Sequence, residues 1–206
     1  IPNLSTFKGF VESNNFVSME AEHFSRNVEA NGISWKVIPG LGRTLSAVAP
    51  FPVKSAVQVP GNNCPHLEYD MYLFQSGRAD VTLYLSPSLN YFNDDGLKLA
   101  VSFDDQQPQI ILMNKNQDLV LWEKWVSDNI NKVGSVCKLD KPGKHTLKVW
   151  MVTPGVVIQK IVVHSDDRVT FTKIDKIANT ATKSDILRRS EEKPSYLGEP
   201  ESAIIH

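Results

Sequence analysis

Two-residue alternation of apolar side chains, repeated in one segment after another, constrains this chain more than any other feature. In residues 66–74 (HLEYDMYLF) Leu67, Tyr69, Met71 and Leu73 fall on one side. In 78–87 (RADVTLYLSP) Ala79, Val81, Leu83 and Leu85 do the same. The pattern returns with Leu97, Leu99, Val101 and Phe103, and again with His145, Leu147, Val149 and Met151. A period of two puts each set on one face of a strand, so the expected fold class is all-β. Strands with one apolar face and one polar face pack as an antiparallel sandwich. Residues 156–164 (VVIQKIVVH) are apolar on both faces, as a central strand should be. Ser76-Gly77 reads as a tight hairpin turn, and Asp104 to Gln107, Pro142-Gly143 and Pro154-Gly155 as further turns.

The stretch 16–24 (FVSMEAEHF) also alternates, Val17, Met19, Ala21 and His23 against Ser18, Glu20, Glu22 and Phe24. One strand across it would bring Glu20 and Glu22 to one face, about 7 Å apart. Carboxylates so placed repel each other, share a cation or meet a base. His23 and His145, on apolar faces, read as core histidines. Residues 26–32 form a turn-rich connection, and 34–38 a short strand. Gly42 and Pro50 bound another, and Pro50, Pro52 and Pro60 exclude helix there. The period breaks at 119–130, where Leu119, Trp122, Trp125 and Val126 approach helical spacing, giving a short helix or an irregular crossover. From residue 166 the composition shifts, and 175–195 is polar with alternating charge. The domain reading is a lead-in over 1–15, a sandwich over 16–165 and an extended C-terminal arm over 166–206. Tyr196, Leu197, Ile204 and Ile205 give the end of the arm apolar groups to dock on the sandwich or on a neighbouring subunit.

Composition narrows the function classes. A net charge of -1 gives no reason to expect a nucleic-acid partner. No apolar run approaches the roughly 20 residues that span a bilayer, so no membrane partner is expected. The chain starts at Ile1 with no initiator Met or leader, which reads as a mature or excised piece of something longer. Cys64 and Cys137 lack metal-site spacing; Cys137, in SVCKL, reads as a buried thiol, and a bridge between the two stays open. The five histidines form no zinc motif, and no glycine-rich loop opens a helix. Glu20 with Glu22, Glu68 with Asp70, and Asp94 with Asp95 are pairs common on any soluble surface, so they do not by themselves indicate a glycosidase. Sugar sites pair an aromatic platform with polar groups, and Trp35, Tyr91, Phe92, Trp122 and Trp125 lie in or beside loops. The segment 91–96 (YFNDDG) is the most loop-like, with Tyr91 as platform and Asn93 and Asp94 as hydrogen-bonding partners for a sugar. Against this, Trp35 and Trp125 read equally as caps of the core. Arg43, in PGLGRT, suits a carboxylate ligand or an ordinary surface ion pair.

Five segments in order, FVSMEAEHF, GISWKVIPGLGRTLSAVAPFP, LEYDMYLF, PGKHTLKVWMVTPGVVIQKIVV and PSYLGEPES, resemble the C-terminal domain of glycoside hydrolase family 115. The resemblance runs over about 10–202, nearly the whole chain. Enzymes of that family are large xylan α-1,2-glucuronidases. The EAE strand, the region after Trp35 and the strand after Pro154-Gly155 also look like carbohydrate-binding module families 6 and 35, which are jelly-roll sandwiches. The resemblance implies a structural calcium, with Glu20 and Glu22 matching its two acidic ligands. Gln159 stands where the last strand normally brings an Asp, and Glu199 precedes Pro200 where two prolines are usual. It further implies a non-catalytic accessory module, because the glycosidase acid and base belong to an upstream catalytic domain. Such a module is expected to support homodimerisation and shape a cleft for glucuronoxylan, in a secreted or periplasmic enzyme. The alternative is a freestanding, calcium-containing carbohydrate-binding module for xylan-type glycans.

Overall fold

The structure, a computed structural model, describes residues 6–91, 96–114 and 119–165. Its elements are β1 (Phe10–Val11), β2 (Phe16–Glu20), β3 (Arg26–Val28), β4 (Ser34–Ile38), β5 (Ala47–Phe51), β6 (His66–Leu73) and β7 (Gly77–Leu85). They continue with β8 (Lys98–Phe103), β9 (Gln109–Leu112), α1 (Leu119–Asp128), β10 (Asn131–Leu139), β11 (Gly143–Met151) and β12 (Ile158–His164). One six-stranded sheet runs β1-β6-β11-β8-β9, with β3 also on β6. The other runs β10-β7-β12-β5-β4, with β2 also on β12. Only the β1–β6 pair is parallel among the described ladders. The all-β sandwich with one short helix is therefore the observed architecture.

The alternating sets face one interior. Leu67, Tyr69, Met71 and Leu73 of β6 pack with Val81, Leu83, Ile161 and Val163 of the opposite sheet in one continuous core. Register keeps the rows aligned, since Leu147 lies opposite Tyr69 on one side and Phe103 on the other. The Tyr69 hydroxyl donates to the Ala21 carbonyl at 2.7 Å, tying the first sheet to the end of β2. A buried phenol needs such a partner. His145 is buried, as expected.

Several local expectations need correction. Ser76-Gly77 does not close a hairpin: β6 belongs to one sheet and β7 to the other. Each of those strands finds its partners far along the chain, β6 with β11 and β7 with β10 and β12. The alternation is satisfied either way, because both strands still point their apolar faces at the shared interior. The strand read over 16–24 stops at Glu20, so Glu22 lies in a turn rather than beside Glu20 on a ladder, and His23 is exposed. Residues 26–28 of the expected connection form β3 on the edge of β6. Part of the lead-in is also in the sandwich: β1 pairs with β6, and the buried Glu12 accepts from the Phe74 amide and the Ser165 hydroxyl. Residues 119–128 are helical, and Trp125 alone is buried in α1. No helix among the described residues is long and apolar enough to cross a membrane. The arm over 166–206, including Tyr196, Leu197, Ile204 and Ile205, lies outside the described residues.

As read from its two apolar faces, β12 is central, bonded to β7 on one edge and to β5 and β2 on the other. Its register slips between Ile158 and Lys160, which lie opposite the consecutive residues Leu85 and Tyr84. Gln159 is the extra residue of this bulge. A bulge re-aims a side chain out of the strand alternation, and this one determines the geometry described next.

Candidate functional site

The end of β7, the start of β12, the start of β10 and the end of β2 lie at one end of the sandwich, through the pairs Leu85 with Asn131 and Lys160 with Glu20. Their loops consequently meet there. Gln159, 2% exposed, joins two of them to the loop between β4 and β5. Its Oε1 accepts from the Arg43 amide at 2.8 Å, and its Nε2 donates to Ser86 Oγ and to the Asn129 carbonyl, each at 2.9 Å. Nearby, Asn114 Oδ1 accepts from the Leu97 amide, Asn114 Nδ2 donates to the Ser88 carbonyl, and Asn131 donates to the Met113 carbonyl. Side-chain amides thus replace ladder bonds where the strands end, as buried backbone groups require.

Arg43 rides on this frame. Its loop is tight, because a Cβ on Gly42 would stand 2.7 Å from the carbonyl oxygens of Leu45 and Ser46. The loop is held by Gln159 at the Arg43 amide and by Thr44, whose hydroxyl donates to Glu20 Oε2 at 2.8 Å. The Arg43 side chain itself is exposed. Tyr91 belongs to the same end: its phenol lies against Gly155, where an added Cβ would be 2.1 Å from the hydroxyl oxygen. With φ of +88°, Gly155 also holds a backbone conformation that favours glycine. Tyr91 remains 55% exposed, and partial burial pushes its phenol pKa up. Asn93 and Asp94 lie outside the described residues.

The two tryptophans go elsewhere. Trp35 is 2% exposed in the core, its backbone clamped by the Asn27 side chain. Trp125, 8% exposed, anchors α1 to the body. Neither ring is presented as a platform, because an isolated large aromatic gains most by filling the interior. Around Trp125 the helix leaves Leu119, Val120 and Val126 more than half exposed.

The three residues matched to calcium ligands are brought to this one end, but two are engaged elsewhere. Glu20 Oε1 pairs with Lys160 Nζ at 3.2 Å while its other oxygen takes the Thr44 hydroxyl. The Gln159 carbonyl oxygen is taken by Arg43. Among the described residues no three His, Cys, Asp or Glu side chains gather at one point. The donor set does not fit the ion. Lys160 and Thr44 were missed in sequence, since only the β2–β12 register places Lys160 opposite Glu20.

A second polar cluster, also unforeseen, covers the outer face of the first sheet. Arg26 pairs with Glu68 and Asp70, and its hydrogen bond to Glu68 is the main cause raising the guanidinium pKa. A cleft of about 330 Å³ is lined by Phe7, Lys8, Asp70, Asp104, Lys144, His145 and Thr146, among others. All four oxygens of Asp70 and Asp104 already accept from Arg26, Thr146 or His145. Carboxylates so committed are poorly placed to serve as the acid and base of glycoside hydrolysis. Cys64 and Cys137 are both free and buried, and burial pushes each thiol up to about 11.

Comparison with known proteins bears on the fold and the family. Among solved structures, a family GH115 4-O-methyl-α-glucuronidase, BtGH115A, with specificity for decorated arabinogalactans, superposes with a TM-score of 0.56 at 16% identity. The match covers 73% of this chain and 17% of that one, so the chain spans about a sixth of that enzyme. A GH26-CBM35 β-(1,4)-mannanase from Podospora anserina gives a TM-score of 0.51 at 12% identity, over 77% of this chain and 29% of that one. A family 35 carbohydrate-binding module from Clostridium thermocellum gives 0.49 at 15% identity, over 71% and 97%. The first two likenesses show the fold. Among curated protein sequences none matches. The model of the glycosyl hydrolase family 115 C-terminal domain matches residues 9–170, the whole described sandwich from β1 to β12, and the chain belongs to that family.

Proposed function

We propose that this chain is a non-catalytic accessory module of a secreted or periplasmic α-glucuronidase acting on glucuronoxylan or a similar acidic polysaccharide. In this reading it supports dimerisation and helps shape the substrate cleft of a partner. The observation that carries the reading is the face of α1: Leu119, Val120 and Val126 stay exposed on a ten-residue helix anchored through Trp125. Apolar residues grouped on one short element favour a protein surface as their partner over water. Family membership and the 17% share of the related enzyme support an upstream catalytic domain as one such surface. Light scattering on the full chain tests the assembly role. A mass of two copies that falls to one in Val126→Glu is expected; one copy in both proteins removes dimerisation from the proposal.

The loop end favours a second reading, a freestanding carbohydrate-binding module. There the exposed ring of Tyr91 stacks on a sugar and the exposed Arg43 guanidinium pairs with a glucuronic acid carboxylate. Calorimetric titration with xylo-oligosaccharides carrying 4-O-methylglucuronic acid tests it. The expected result is binding lost in Tyr91→Ala and weakened in Arg43→Ala. Heat that is absent, or unchanged in both variants, excludes this site.

A further inference from the structure

The disagreement between the calcium expectation and the donor set has its own structural content. We infer that the Lys160 ammonium and the Gln159 side-chain amide take the place of a structural divalent cation, so the chain closes this end of the sandwich without metal. Calcium takes six to eight oxygen ligands and depends on the negative charge they bring. Here Gln159 contributes no charge, and its one carbonyl oxygen is already bonded to the Arg43 amide at 2.8 Å. Glu20 has both oxygens in use, toward Lys160 at 3.2 Å and Thr44 at 2.8 Å. Glu22, in the turn after β2, is left alone to offer an uncommitted carboxylate.

The β2–β12 register sets Lys160 directly opposite Glu20, which brings the ammonium within reach of that carboxylate. A divalent ion bound to Glu20 would meet the positive charge of Lys160 at close range, and like charges a few ångströms apart repel strongly in a partly buried site. Both side chains are only partly open to solvent, Lys160 33% and Glu20 16% exposed, so water screens this repulsion incompletely. Meanwhile the linking task of a shared ion falls to Gln159. From its bulge it bonds the Arg43 loop, Ser86 after β7 and Asn129 after α1, tying the Arg43 loop to the paired ends of β7 and β10.

Thermal unfolding of the full chain, in excess EGTA and in millimolar calcium chloride, tests the inference, with calorimetric titration of calcium chloride alongside. The wild-type midpoint is expected to be the same in both buffers and the titration to give no saturable heat. Lys160→Met keeps the aliphatic stem, removes the charge, and is expected to unfold about 2–4 °C lower in EGTA. A wild-type midpoint raised several degrees by calcium, or a saturable titration, overturns the inference. So does a Lys160→Met midpoint equal to that of the wild type in EGTA. Should the variant fail to fold, the wild-type comparison still decides.

Discussion

The interior between the sheets and the loop end beyond them are held by different forces. Inside, Leu67, Tyr69, Leu83, Phe103 and Ile161 are completely buried and interact through contact and loss of water. At the loop end, Gln159, Asn114 and Asn131 hold separate segments by directed hydrogen bonds. The first arrangement tolerates any side chain of suitable size and polarity, since hydrophobic burial has no direction. The second depends on individual atoms, and removing one amide strands several partners at once. Stability is concentrated in the interior, whereas the placing of Arg43 and Tyr91 is concentrated at the loop end.

Substitutions at the two regions sharpen that contrast. Phe103→Ala, which empties a fully buried site in β8, is expected to cost about 3–5 kcal/mol by urea denaturation. A loss under about 1 kcal/mol there would mean the interior is looser than its burial implies. Gln159→Ala is expected to cost about 1–3 kcal/mol by the same method, because the Arg43 amide, the Ser86 hydroxyl and the Asn129 carbonyl lose their shared partner at a part-buried site. It should also speed hydrogen exchange at the Arg43 amide while leaving β6 and β11 protected; uniform loss of protection would erase the distinction between the regions. The smallest effect at neutral pH concerns the thiols of Cys64 and Cys137, which burial holds near 11 against an ordinary value of 9.0. A folded-state pKa above the unfolded one means their contribution is complete below pH 9 and is lost as pH rises toward about 11. Native protein at pH 8 should therefore resist a thiol reagent that labels both cysteines once urea is added. Rapid labelling of either thiol in the folded chain would contradict its burial.

Much of the interior was legible in advance and little of the loop end. Facing is local: once a segment is a strand, period two alone sends Leu67, Tyr69, Met71 and Leu73 to one side. The break in that period at 119–130 marked a short helix or a crossover, and the structure makes it a helix over Leu119–Asp128. Trp35 was ambiguous because an aromatic at a strand end serves equally as core or as platform. Its Asn27 clamp comes from another strand and leaves no mark on the residues around it. Glu20 and Glu22 drew attention by spacing, but their partners did not, since Thr44 and Lys160 are distant in the chain.

What the chain determines by itself is therefore the long alternating strands, their inward facing and the family it belongs to, all carried by patterns within a few residues or by their order. The short edge strands β1 and β3 left no such pattern. Sheet membership was decided only in three dimensions. The segment 74–76 serves equally as a turn within one sheet or a passage between two, and the choice rests with β11, β10 and β12, which claim β6 and β7 from far away. The same holds for the bulge at Gln159 and the Lys160–Glu20 pair, whose geometry follows from how β12 registers against β7 and β2. Local alternation sets which way a side chain points, but only long-range pairing sets what it meets.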